Sequence, residues 1–294
     1  MNQQDKAPPT PHPENADDDI AIRVRGLEVG FGGPPVLKNL DVDVRKGELL
    51  GVVGGSGTGK SVLMRSIIGL NKPQAGSIEV LGQDMASLGF HERHALERRW
   101  GVLFQDGALF SSLTVAQNIE VPLREQLGAM PQQLMDEIAS FKISMVGLAP
   151  DAGAKYPSEL SGGMRKRAGI ARALALDPEI LFLDEPTAGL DPIGAAAFDS
   201  LIGQLHRVLG LTVVMVTHDL DSLHAVCDRI AVLADNKVKL IGTMDDMLQS
   251  EHAWTHEYFH GPRSRAAGIG SPRSRAAGIG SPRSRAADIG MQSE

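Results

Sequence analysis

The chain has 294 residues, 42% of them hydrophobic, and a formal net charge of −7. That length holds one large domain or two small ones with a sizeable core, and an acidic balance gives no general attraction to nucleic acid. The single cysteine, Cys227, excludes an intrachain disulfide and suits a reducing compartment, and no apolar run approaches the ~20 residues of a membrane span.

Residues 1–19 carry four prolines and a small acidic excess, which reads as a disordered leader without the apolar core of a secretory signal. From Ile20 to Val29 the chain alternates like a half-buried strand, and Leu37 to Val44 repeats the pattern, so an antiparallel sheet is expected at the front of the domain. Phe31 lies between these strands, where a lone aromatic either anchors the loop or stacks on a base.

Next comes the apolar run Glu48 to Val53, read as a buried strand, and then Gly54-Gly55-Ser56-Gly57-Thr58-Gly59-Lys60-Ser61. This matches G-x-x-x-x-G-K-[ST], and Val62 to Gly69 behind it has helical spacing and a stop glycine. Glycines let backbone N–H groups converge on phosphate oxygens at the positive end of a helix. Lys60 is then placed for the β- and γ-phosphates of a nucleoside triphosphate and the Ser61 hydroxyl for Mg²⁺, with Val62 opening the helix.

Farther along, His91 to Trp100 reads as a charged helix leading into the short strand Gly101 to Gln105, and Asp106 to Thr114 as a loop. Val115 to Leu127, bent at Pro122, and Pro131 to Val146 read as two helices. Gly162 to Leu176 is a helix, basic on one side through Arg165, Lys166, Arg167 and Arg172. Ile180 to Leu183 is an apolar strand closed by Asp184-Glu185, and an acid at the carboxyl end of such a strand stands beside Mg²⁺ in phosphate-loop enzymes. A helix (Ala195 to Leu209), a strand ending at Thr217-His218-Asp219, a helix (Leu220 to Cys227) and two closing strands (Ile230 to Leu233, Val238 to Ile241) complete the alternation. Such alternation predicts a mostly parallel sheet flanked by helices on both faces, with His218 on the same rim as Lys60 and Glu185.

Taken together, the phosphate loop, Gln105, Leu160-Ser161-Gly162-Gly163-Met164, Asp184-Glu185, Ala188-Gly189-Leu190-Asp191 and His218 resemble an ATP-binding cassette (ABC) ATPase over about Ile20 to Met247. The runs Phe104 to Phe110, Val121 to Glu125 and Leu160 to Arg167 are most similar to the Mla/MCE-associated, MlaF-like branch of phospholipid transporters. The resemblance implies a phosphate-loop α/β fold with an antiparallel β subdomain and a helical subdomain at about 106–176 carrying the signature. It further implies a head-to-tail homodimer in which Ser161, Gly162 and Gly163 bind the γ-phosphate of ATP held by the opposite copy. By the same resemblance Glu185 is the general base, His218 holds the γ-phosphate, and Asp184 and Gln105 serve Mg²⁺; Phe31 stacks on adenine and Asp191 ties the two sites together. The implied partners are an MlaE-like integral membrane permease and an MCE-domain subunit, at the cytoplasmic face of the inner membrane, with no nucleic acid. An ATPase of another importer or exporter and a non-transport ATP-dependent regulator are the alternatives.

Past the cassette, His252 to His260 holds three aromatics, with Trp254 and Tyr258 on one helical face. A solvated tail does not normally carry such a cluster, so 251–261 is expected to dock on its own cassette or the partner's. The decapeptide from Pro262 recurs at Pro272 and, slightly changed, at Pro282. This reads as disordered low complexity, either an unselected expansion or an arginine-bearing segment drawn to anionic headgroups.

Overall fold

The structure, a computed structural model, describes residues 19–261; the expected leader up to residue 18 and the repeats of 262–294 lie outside them. In chain order the elements are β1 (Ile20–Val29), β2 (Leu37–Arg45), β3 (Leu49–Gly54), α1 (Lys60–Ile67), β4 (Ala75–Val80), β5 (Gln83–Asp84), α2 (Phe90–Glu97), β6 (Trp100–Leu103), α3 (Val115–Leu127), α4 (Gln132–Met145), α5 (Gly162–Ala173), β7 (Ile180–Asp184), α6 (Pro192–Leu209), β8 (Thr212–Val216), α7 (Leu220–Val226), β9 (Arg229–Ala234), β10 (Lys237–Gly242), α8 (Met244–Leu248) and α9 (Ala253–His260).

The alternating β1 pairs antiparallel with β2 and β4 in a four-stranded sheet ordered β2-β1-β4-β5. The continuously apolar strands do something else. Every residue of β3, β7 and β8 is buried, as expected of parallel strands covered on both faces, and they lie side by side in a second sheet ordered β10-β9-β3-β8-β7-β6. Within it β9, β3, β8, β7 and β6 run parallel and β10 closes one edge antiparallel. Helix α7 comes down hard on this sheet at Gly51, where a Cβ would stand 2.6 Å from Leu223 Cδ2 and 2.8 Å from the Cys227 sulfur. Only glycine permits that approach.

Helices α3, α4 and α5 pack on one another and join the β6–β7 side of the sheet, sharing one apolar core with Leu103, Leu181 and Leu183. Thr114 caps α3 by accepting from the Gln117 N–H, while the Gln117 side chain bonds back to the Thr114 N–H. Buried Asn118 donates to the carbonyls of Phe110, Leu113 and Thr114, fastening the preceding loop to the helix. Helix α9 joins a separate cluster, where Phe259 is buried with Val53, Leu220, Leu223 and Met247.

Two sequence expectations change. The charged helix ends at Glu97, and Trp100 instead opens β6, level with Ile180 and edge-on to the Phe182 ring at 6.4 Å; cross-strand aromatic packing outweighs local helical spacing. Pro122 lies within α3. The basic residues of α5 do not form one solvated side, since Lys166 is 3% exposed and turned toward the Glu185 carbonyl.

Candidate active site

The parallel strands end level with one another: Val52 is opposite Val216, and Val216 is opposite Asp184. The loops leaving β3, β8 and β7 therefore open on a common rim, and they carry Lys60, His218 and Glu185. Between β3 and α1 the backbone turns through Gly57 at φ 76° and Gly59 at φ 99°. A side chain at Gly59 would also strike Leu37 Cδ2 at 2.6 Å, so space and conformation both require glycine there.

Lys60 opens α1, and its ammonium donates to the carbonyls of Gly54 and Gly55 at 2.9 Å each. Burial holds its pKa below the ordinary lysine value, opposed by the nearby Glu185 and Asp184 carboxylates. The Ser61 hydroxyl donates to Asp184 Oδ1 at 3.2 Å, and Asp184 is 5% exposed. This pair offers a hydroxyl and a carboxylate oxygen to a hard cation. No cluster of three or more His, Cys, Asp or Glu able to hold a metal exists among the described residues. That donor set fits Mg²⁺, which keeps waters and takes one or two protein oxygens together with substrate phosphates.

Glu185 follows Asp184 in a left-handed conformation, φ 50°, a placement that costs a non-glycine residue roughly 1–3 kcal/mol. Its backbone is held from two sides: its N–H donates to the Val216 carbonyl at 2.8 Å, and its carbonyl accepts from Lys166 Nζ at 3.3 Å. The strained turn aims the carboxylate at the next loop, where Oε2 lies 2.7 Å from His218 Nδ1. An ionised carboxylate only accepts, so Nδ1 carries the proton of this bond.

Strand β6 ends on the same rim, parallel to β7 with Leu103 opposite Leu183. Gln105 is exposed in a 3-10 turn following β6, and Phe31 is 65% exposed in the β1–β2 connection. Ser161 caps α5 by accepting from the Met164 N–H. A Cβ on Gly162 or Gly163 would meet Leu190 Cδ2 at 3.8 or 4.0 Å. Asp191 caps α6 through bonds from the Ile193 and Gly194 N–H groups. The signature thus opens α5, which packs on α3, α4 and β6, whereas α1 behind the phosphate loop packs on β3 and β8.

Sequence reasoning missed four residues that the structure brings to the rim. Lys166 holds the Glu185 carbonyl, and Thr187 donates to Asp219 at 3.3 Å, joining the loops after β7 and β8. Tyr258 donates to the His218 carbonyl at 2.8 Å. The Trp254 indole nitrogen stands 3.8 Å from where a Cβ on Gly55 would lie. Only the aromatic cluster of α9 had a signal in the sequence.

Comparison with known proteins agrees with this geometry. Residues 37–188 match the family model described as ABC transporter. The chain is 38% identical to the intermembrane phospholipid transport system ATP-binding protein MlaF of Haemophilus influenzae, over 82% of this chain and 90% of that one. It is 42% identical to the methionine import ATP-binding protein MetN of Caulobacter vibrioides, over 81% of this chain and 72% of the other. Among solved structures it resembles the dimeric post-hydrolysis state of the ATP-binding cassette MJ0796 bound to ADP and Pi, with a TM-score of 0.69 and 31% identity over 76% of this chain and 98% of that one. With the phosphate loop, the strained Glu185 and His218 meeting on one rim, the chain belongs to the ABC transporter ATPases and is an ATP-hydrolysing subunit close to the MlaF-like branch.

Proposed function

We propose that two copies of this chain sandwich two ATP molecules head to tail and use their hydrolysis to drive a membrane permease. The reading rests on where the two motifs stand: Ser61 bonds Asp184 and Glu185 bonds His218 on the strand rim, while Ser161, Gly162 and Gly163 open α5 beside Leu190. A second copy, inverted, brings its signature to the open side of the rim. The serine hydroxyl and the amides at the start of α5 are suitable donors to a γ-phosphate, and the dimeric form of the cassette MJ0796 supports the arrangement.

ATP enters with its phosphates along residues 54–61, and the Lys60 ammonium exchanges the Gly54 and Gly55 carbonyls for phosphate oxygens. Ser61, Asp184 and Gln105 would hold Mg²⁺, which when bound would supply charge neutralisation on the phosphates. Phe31, exposed in the β1–β2 connection, stacks on adenine. Glu185 accepts a proton from water as the water oxygen bonds to the γ-phosphorus and the bond to the bridging oxygen breaks, leaving ADP and inorganic phosphate. His218 orients that water and the γ-phosphate, and Asp191 links the two sites across the interface. Loss of the shared phosphate separates the copies, giving a two-state movement that a permease can use.

Phospholipid is the cargo class we favour, supported by the MlaF relative, which the chain covers over 90% of its length. The partners are then an MlaE-like permease and an MCE-domain subunit, with this chain peripheral at the cytoplasmic face of the inner membrane. No described helix is long and apolar enough to cross a membrane. A methionine importer's ATPase is the second reading, favoured by the higher identity to MetN. Purification with the native permease and assay of phospholipid against methionine movement decides between them.

The catalytic assignment is tested by Glu185→Gln. The amide keeps the shape but accepts no proton, so ATP binding persists, turnover falls by 10²–10⁴-fold, the usual value of a general base, and an ATP-dependent dimer accumulates in size-exclusion chromatography. Near-normal hydrolysis by the variant removes Glu185 from the role of base.

A further inference from the structure

The rim has one contact that hydrolysis as described does not use. His218 is largely open to solvent, its side chain 64% exposed, so packing does not fix the direction of its ring. Its aim at Glu185 depends on the backbone of residues 217–219. On one side this segment is anchored, since Thr217 is wholly buried and Asp219 accepts from Thr187. On the other side the carbonyl of His218 itself accepts a 2.8 Å hydrogen bond from the Tyr258 hydroxyl.

Tyr258 is well placed to hold that bond. Its ring stacks on Trp254 at 4.7 Å with 15° between the planes, and Phe259 meets it edge-on at 5.1 Å. Phe259 is 0% exposed among Val53, Leu220 and Leu223, residues of the strand that ends in the phosphate loop and of the helix that follows His218. The Trp254 indole in turn faces Gly55, its nitrogen 3.8 Å from where a Cβ there would lie. A cavity of about 780 Å³ opens between the helix and Thr187, Ala188 and Gly189, and Tyr258 lines it together with His218. One short helix therefore touches both the loop that holds phosphate and the loop that presents the histidine.

We infer that Tyr258 is a positioning residue for ATP hydrolysis, holding the His218 carbonyl so that the imidazole stays against Glu185 and making turnover depend on whether α9 is seated. The inference rests on the hydrolytic role given to His218 above. Tyr258→Phe keeps the stacked ring and removes only the hydroxyl. In the full chain this variant should lose about 3- to 10-fold in kcat, the range expected for one neutral hydrogen bond, with KM for ATP and thermal midpoint unchanged. His218→Ala and the double variant are measured alongside under single-turnover conditions, with enzyme in excess so that slow hydrolysis is read. The double variant should be no slower than His218→Ala alone.

Wild-type kcat in Tyr258→Phe overturns the inference. So does a parallel rise in KM or fall in thermal midpoint, which marks a merely structural tyrosine, and so does an additive loss in the double variant, which places the effect elsewhere. Wild-type turnover in His218→Ala would instead sink the role of the histidine, and with it the ground for this inference.

Discussion

Asp199 is 3% exposed on the inner side of α6, where its Oδ2 accepts from the Ser222 hydroxyl at 2.8 Å and its Oδ1 is buried without a hydrogen-bond partner. Burial pushes its carboxyl up to about 6, the nearby Asp219 and Asp221 adding to the rise and the Ser222 bond opposing it. A carboxyl raised in the folded state lowers stability where it must ionise: no penalty exists below its unfolded value near 4, and the penalty grows from there until it is complete above about 6. Asp199→Asn keeps an acceptor for Ser222 without the charge. It should stabilise the chain at pH 8 by roughly 1–3 kcal/mol, with about half that gain at pH 5, as read by denaturant titration at both values. Nothing in the sequence distinguished this aspartate from solvated acids. The rim was different: Lys60, Ser61, Asp184, Glu185 and His218 were legible because a phosphate loop and strand-end acids require particular atoms at particular spacings. Thr187, Lys166 and Tyr258 act through single bonds to backbone or neighbouring side chains, and no spacing rule announces such bonds.

At the scale of elements, the segment after Gln105 shows where pattern reading stops. Leu109, Phe110 and Leu113 lie close together in sequence near an exposed loop, a pattern that suits a permease helix or the core equally well. The structure divides them: Phe110 is 52% exposed, whereas Leu109 packs against the large core cluster. Phe110→Asp should leave the thermal midpoint within a few degrees and uncouple ATPase activity from the permease in reconstituted membranes. Leu109→Asp should destabilise the chain itself by about 2–4 kcal/mol, because it places a charge in apolar surroundings. Equal stability of the two variants would show that both residues are surface. The parallel strands were readable because their apolar runs are unbroken. Strand β4 was missed because only Ile78 and Val80 are buried within Ala75–Val80, too short an alternation to stand out. Trp100 was misassigned because its partner, Phe182, is remote in sequence.

For the whole molecule, the informative feature is that Gly162 and Gly163 rest against Leu190 of their own chain while the phosphate loop belongs to the strand rim. Lys60→Ala and Ser161→Arg should each silence a population composed of that variant alone, since every paired site would contain the lesion. A mixture behaves otherwise. When the two variants pair, both lesions fall into one site, and the other site is assembled from an intact phosphate loop and an intact signature. Two inactive preparations should therefore regain ATPase activity on mixing, as measured by phosphate release against the proportion of each. Continued silence at every proportion would argue against head-to-tail pairing. The proposed pairing thus has a genetic reading: two differently broken alleles of this chain should mend each other in one cell, and a chain carrying both lesions at once should be dominant, spoiling both sites of every pair it enters.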